Sequence, residues 1–137
     1  MNSLTNIPQN PSIFILDDDR FYLEYMKEII FNYSSSINTQ TFVDKNDMLN
    51  CLSNKPDVII LDYNLGVENS KRITAHAVIS DIENANPNQY IVLISGESTA
   101  PLLEEYNRYR NLDFIVKSPN VSQDIVSLLN KRIKTVH

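Results

Sequence analysis

Short runs of apolar residues, each flanked by polar residues, recur along the chain and predict buried β-strands. Four of these runs are rich in Ile, Val and Leu, a composition typical of strands that are covered on both faces of a sheet. They are residues 13–16, 58–61, 91–94 and 114–116. A fifth, more polar segment, Asn38–Phe42, predicts a strand at the edge of the sheet.

Between the runs, apolar residues follow the spacing of one helical face. The predicted helices have inward positions that include Met26 and Ile30 in the first, Met48 in the second, Val78 and Ile82 in the third, Leu102 and Tyr109 in the fourth, and Ile125 and Leu129 in the fifth. A loop of residues 63–69 is expected before the third helix. Five strands alternating with five helices predict an α/β domain with a doubly wound parallel sheet and helices on both faces.

Composition narrows the class of protein. A chain of 137 residues suits one domain, here expected to span residues 12–137 after a flexible lead of residues 1–11. The net charge of -5 argues against a nonspecific grip on nucleic acid. No apolar stretch is long enough to span a membrane, and no secretory signal is recognisable, so a cytoplasmic location is expected. The single cysteine excludes an intramolecular disulfide.

Chemically active side chains follow four of the predicted strands directly. Asp17 follows the first, Asp62 the third, Ser95 the fourth and Lys117 the fifth. Because the carboxyl ends of parallel strands lie along one edge of an open sheet, these side chains should meet in one crevice.

The charges in this crevice need neutralising. Asp17, Asp18 and Asp62 would repel one another, and Lys117 supplies only one positive charge. The remaining charge indicates a divalent cation bound by oxygen atoms, with Mg²⁺ as the best match. Asp62 could then act as a nucleophile that forms an acyl phosphate, with Lys117 and the Ser95 hydroxyl contacting the phosphoryl oxygens.

In this order and at these positions, the residues resemble the receiver domain of two-component response regulators. The resemblance runs from about Ser12 to Ile133 and rests on the acidic run at residues 17–19, then Asp62, Ser95 and Lys117. It implies a flavodoxin-like, CheY-like fold with the strand order 2-1-3-4-5, in a receiver of the stand-alone type.

The resemblance also implies a role for each residue. Asp62 would be the phosphoacceptor and Lys117 the phosphate-binding lysine. Asp18 would bind Mg²⁺ directly, Asp17 through water, and Asn64 through its backbone carbonyl. Ser95 and Phe114 would form the conformational switch. Such a protein is not a conventional enzyme, although it catalyses its own phosphorylation and dephosphorylation.

Two loops depart from the family pattern. Gly66 stands where the family usually has proline, and the Asp-Gly pair usual before the third helix is missing from residues 67–70. Ser118 separates Lys117 from Pro119, whereas proline usually follows the lysine at once. Neither departure removes a reactive group.

The resemblance implies partners as well. The phosphoryl donor would be a histidine kinase or a histidine phosphotransfer protein. The output would be contact with a downstream protein rather than with nucleic acid or membrane, through the face of the fourth helix, fifth strand and fifth helix. The chain could act as a monomer or as a phosphorylation-dependent dimer through that face.

Two other interpretations remain open at this point. One is a phosphorylation-independent binding module on a receiver scaffold. The other is a phosphohydrolase of the haloacid-dehalogenase type, because Asp17 and Asp19 form an Asp-x-Asp pair. That family needs a late acidic pair, and only Asp124 follows Lys117.

Overall fold

Seven strands and four α-helices are present in a computed structural model that describes residues 10–96, 109 and 111–133. The strands are β1 (Ser12–Leu16), β2 (Asn38–Phe42), β3 (Val58–Asp62), β4 (Asn64–Glu68), β5 (Lys71–Thr74), β6 (Tyr90–Ser95) and β7 (Leu112–Val116). The helices are α1 (Arg20–Tyr33), α2 (Lys45–Leu49), α3 (Ala75–Ala85) and α4 (Val121–Arg132), with a 3-10 turn at Leu52–Asn54.

Five of the strands form the central sheet in the order β2-β1-β3-β6-β7, and every neighbouring pair is parallel. The α/β class with a parallel central sheet is therefore confirmed. The polar strand β2 lies at one edge, whereas β3 and β6 are buried along their whole length. The strands β4 and β5 lie outside this sheet. If only the five strands of the central sheet are numbered, their order is the expected 2-1-3-4-5.

Side chains of β1 alternate between two apolar layers because successive residues of a strand point to opposite faces. Ile13 and Ile15 pack into a layer that includes residues of α1 and α4. Phe14 and Leu16 pack on the other face, in a layer with residues of α2 and α3. Both faces are thus covered, which leaves the ends of the strands as the place where polar side chains can gather.

The expected total of five strands and five helices is wrong for the described residues. The loop predicted between Tyr63 and Asn69 is instead the start of an antiparallel hairpin of β4 and β5, joined at Asn69 and Ser70. Both turn residues have positive φ, 53° and 63°, a conformation that suits a two-residue hairpin connection. The third helix begins where the hairpin ends.

Residues 101–108 of the fourth predicted helix and most of the predicted N-terminal lead lie outside the described residues. Tyr109, which was predicted to belong to that helix, is described and is not helical. Within the described part of the chain, no helix combines the length and apolar character needed to cross a membrane.

Candidate functional site

The carboxyl ends of four central strands bring the chemically active residues to one edge of the sheet. Asp17 follows β1, Asp62 ends β3, Ser95 ends β6 and Lys117 follows β7. Adjacent strands stay in register up to this edge, where the Lys117 N–H donates to the Ser95 carbonyl at 2.8 Å. The continuous apolar runs therefore set the place of the site, because each run leads directly to one of these side chains.

Three carboxylates form a tight cluster at this edge. Asp17, Asp18 and Asp62 each offer an oxygen, and these oxygens all lie within 4.8 Å of one another. Asp17 and Asp62 are buried, with 3% and 8% of their surface exposed, whereas Asp18 is open to solvent. The cluster therefore has two buried acids and one that faces the surface.

Lys117 is the cation that joins the two buried acids. Its Nζ lies 3.3 Å from Asp62 Oδ1 and 3.5 Å from Asp17 Oδ2. The same ammonium group lies 4.2 Å from the centroid of the Tyr22 ring, within the range of a cation–π contact. One positive charge is thus shared between two carboxylates and supported by an aromatic face on α1.

The shared charge does not fully compensate the two acids. Burial raises the pKa of Asp17 from 3.8 to about 6, opposed by the Asp19 backbone N–H and by Lys117 and reinforced by the nearby Asp62. Burial also raises the pKa of Asp62, again against the opposing effect of Lys117. A further cation bound among these oxygens would favour the ionised forms of both acids.

Asp19 has a different task from its two neighbours. Its carboxylate accepts hydrogen bonds from the backbone N–H groups of Phe21 and Tyr22, at 3.0 and 3.4 Å, and so caps the start of α1. Its own N–H donates to Asp17 Oδ1 at 2.9 Å. Asp19 therefore fixes the turn that orients Asp17, and its capping carboxylate is not part of the three-acid cluster.

The hairpin supplies a wall of the site that the sequence interpretation missed. Gly66 in β4 lies against Asp18, and Arg72 in β5 donates through Nε to Asn64 Oδ1 at 2.9 Å and also through Nη2. Asn69 and Ser70 were the available signal, because Asn at a two-residue turn between polar strands favours the left-handed conformation. No sequence signal pointed to Arg72.

These elements enclose an open cavity of about 510 Å³ over the three acids. Its lining residues are Asp17, Asp18, Asp19, Asp62, Asn64, Gly66, Val67, Arg72, Gly96 and Lys117. The cavity is thus lined by the acidic cluster, by the cations Lys117 and Arg72, and by residues of the hairpin.

The two predicted switch residues lie beside the cavity rather than in its lining. Ser95 is fully buried at the end of β6. Phe114 is half-buried on β7 and packs against the apolar layer that also contains Tyr109. Ser95 and Phe114 lie on the neighbouring strands β6 and β7, where Leu93 pairs with Phe114 and Ser95 pairs with Val116.

The donor set fits a hard divalent cation. Mg²⁺ prefers oxygen ligands and keeps several of its waters, which suits a few carboxylates at an open cavity. Asp17, Asp18 and Asp62 supply such oxygens within a short span.

Comparison with known proteins supports the fold assignment. The family model described as the response regulator receiver domain matches residues 13–130. A receiver domain protein from Clostridium thermocellum is 16% identical, with a TM-score of 0.73 over 90% of this chain and 94% of that one. The chemotaxis protein CheY4 of Vibrio cholerae is 15% identical, with a TM-score of 0.74 over 90% and 98%. The receiver domain of NtrX from Brucella abortus is 22% identical, with a TM-score of 0.73 over 90% and 99%. No curated protein sequence matches the chain.

Proposed function

Because this chain belongs to the response regulator receiver family, we propose that Asp62 accepts a phosphoryl group from a phosphohistidine. The donor is a histidine kinase or a histidine phosphotransfer protein. The observation that carries the proposal is the Lys117 ammonium, 3.3 Å from Asp62 in the wall of an open cavity. A cation at that place neutralises charge on the phosphoryl oxygens, which is the main demand of phosphoryl transfer.

The transfer makes one bond and breaks one bond. An oxygen of the ionised Asp62 attacks phosphorus, and the bond between phosphorus and the donor imidazole nitrogen breaks. The imidazole leaves with the electron pair and takes up a proton. Water later attacks the acyl phosphate, which returns the Asp62 carboxylate and releases inorganic phosphate.

Mg²⁺ supports this chemistry in the proposal. The carboxylates of Asp17, Asp18 and Asp62 and the backbone carbonyl of Asn64 would hold it, with Asp17 acting through water. When bound, it supplies positive charge for the transferring phosphoryl group. Lys117 remains beside Asp62 and contributes a further positive charge.

The proposed output is a change in protein contacts. The Ser95 hydroxyl moves towards the phosphoryl group, and Phe114 on the neighbouring strand then changes its packing. The position of both residues on β6 and β7 supports this coupling, because movement at one strand end alters the contacts of the next. The altered surface is that of β7, α4 and the helix predicted to begin at Pro101, and it binds a downstream protein or a second phosphorylated copy.

Beryllofluoride binding tests the phosphoacceptor site without a kinase. The wild-type chain is titrated with beryllofluoride in the presence and absence of Mg²⁺, next to Asp62→Asn and the matched surface control Asp81→Asn, which changes an exposed acid on α3. We expect one Mg²⁺-dependent binding event in the wild type and in Asp81→Asn, and none in Asp62→Asn. Absence of binding in the wild type would favour the phosphorylation-independent binding module.

The phosphohydrolase alternative has no support from the site. That mechanism needs both acids of the Asp-x-Asp pair at the reacting group, whereas the Asp19 carboxylate accepts hydrogen bonds from the start of α1. Asp124 is exposed on α4 and does not line the cavity.

A further inference from the structure

Arg72 is a second cation at the cavity, and it comes from the hairpin rather than from the central sheet. It lies on β5 opposite Val67 in the hairpin register. Its side chain lines the same cavity of about 510 Å³ as Asp62 and Lys117. The hairpin therefore adds a positive charge to a site whose other side chains are mostly acidic.

Asn64 holds this guanidinium in place. The Asn64 side-chain oxygen accepts from both Nε, at 2.9 Å, and Nη2 of Arg72. Asn64 itself begins β4, two residues after Asp62. The guanidinium is thus tied to a residue two positions after the phosphoacceptor.

The charge balance of the phosphorylated site favours a ligand for Arg72. A phosphoryl group carries about −1.5 to −2 charges and three strong acceptor oxygens. Lys117 already serves both Asp17 and Asp62, with 3.5 and 3.3 Å separating its Nζ from their oxygens. A planar guanidinium is well suited to contact two oxygens of one phosphoryl group.

We propose that Arg72 binds the phosphoryl group on Asp62 and acts as a second phosphate-binding residue beside Lys117. This inference rests on the proposed function of Asp62. The ligand is a tetrahedral phosphoryl anion attached to a carboxylate, and the hairpin is the element that brings the second cation to it.

If Arg72 binds the phosphoryl group, removal of its charge should weaken the binding of an anion but not the binding of a cation. Arg72→Gln should weaken beryllofluoride binding in saturating Mg²⁺ about ten-fold, the loss expected for one hydrogen bond to a charged group. The affinity for Mg²⁺ alone should stay the same or increase, because a repelling charge has been removed. Arg72→Lys should retain part of the anion affinity.

Calorimetric titration of Mg²⁺ and of beryllofluoride measures both affinities. Lys71→Gln is the matched control, since it removes the same charge from the exposed neighbouring position of β5 and should change neither affinity. Unchanged beryllofluoride affinity in Arg72→Gln would overturn the proposal. A parallel loss of Mg²⁺ and beryllofluoride affinity would also overturn it, because it would show that Arg72 only keeps the hairpin in place. Failure of the wild type to bind beryllofluoride would reject the function of Asp62 itself, and the role of Arg72 with it.

Discussion

Gly66 lies so close to Asp18 that a Cβ at this position would stand 3.1 Å from the Asp18 carboxylate oxygen Oδ2. Gly66 also has a φ of +92°, which side chains of L-residues rarely adopt. The first strand of the hairpin is therefore fitted against the exposed acid of the cluster, and the site depends on a glycine there.

Gly66→Ala should both destabilise the protein and disturb the cation site. The strained backbone should lower the free energy of unfolding by about 1–2 kcal/mol. Displacement of Asp18 should weaken Mg²⁺ binding, which titration calorimetry measures. Val67→Ala is the control, because Val67 is 72% exposed and its truncation should leave both quantities nearly unchanged. Unaltered Mg²⁺ affinity in Gly66→Ala would show that Asp18 is not a ligand or that it moves freely.

Ser70→Gly tests the hairpin itself. Ser70 has a φ of 63° at the second position of the turn, where glycine is the preferred residue. The change should stabilise the protein by about 0.5 kcal/mol, because relief of strain outweighs the added freedom of the unfolded chain. Urea unfolding and hydrogen exchange of the β4 and β5 amides measure the effect. Ser80→Gly, in the exposed face of α3, should instead destabilise the protein.

Tyr22 should position Lys117 through its ring and not through its hydroxyl group. The ring lies 4.2 Å from Lys117 Nζ, while the buried hydroxyl has no hydrogen-bond partner within the described part of the chain. Tyr22→Phe should keep the free energy of unfolding or increase it by about 1 kcal/mol. Tyr22→Leu should lose about 1–2 kcal/mol and slow phosphorylation by acetyl phosphate. Equal phosphorylation rates in the two variants would contradict a role for the ring.

Asp17 should make stability depend on pH in an unusual direction. Its pKa is raised to about 6 in the folded protein from an ordinary value of 3.8, so the folded state keeps a proton that the unfolded state loses. Its contribution to stability therefore falls between about pH 4 and pH 6, by up to about 3 kcal/mol, and stays low above that range.

The Asp17→Asn variant isolates this effect. In the absence of Mg²⁺, the free energy of unfolding of Asp17→Asn minus that of the wild type should increase as the pH rises from 4 to 7. Urea unfolding at each pH measures this difference. Added Mg²⁺ should stabilise the wild type more at pH 7 than at pH 5, because a bound cation favours the ionised carboxylates. A difference between the two proteins that does not vary with pH would contradict the raised pKa.

The apolar runs made the central sheet and the edge of the site predictable. The runs before Asp17, Asp62 and Ser95 lie in strands that are buried almost along their whole length, so their composition marks the strands. The shorter run before Lys117 lies in β7, a partly exposed strand at the other edge of the sheet. The polar strand β2 was also predicted, since it follows α1 and completes the alternation of strands and helices.

The hairpin could not be predicted in the same way. Residues 64–74 contain only three apolar side chains, Leu65, Val67 and Ile73, and are partly exposed, so the alternation is too short to mark β4 and β5. The contact between Arg72 and Asn64 depends on the register of that hairpin, which no pattern in the sequence specifies. The different tasks of Asp17 and Asp19 likewise follow from the geometry of one turn, in which Asp19 caps α1.

The most direct test of the central claim is to locate the phosphoryl group after incubation with acetyl phosphate. The acyl phosphate is trapped by borohydride reduction, and the modified residue is identified by mass spectrometry, with and without Mg²⁺. The account predicts one modification, at Asp62, which requires Mg²⁺ and is lost in Asp62→Asn. Modification at another residue, or none at all in the presence of Mg²⁺, would contradict it.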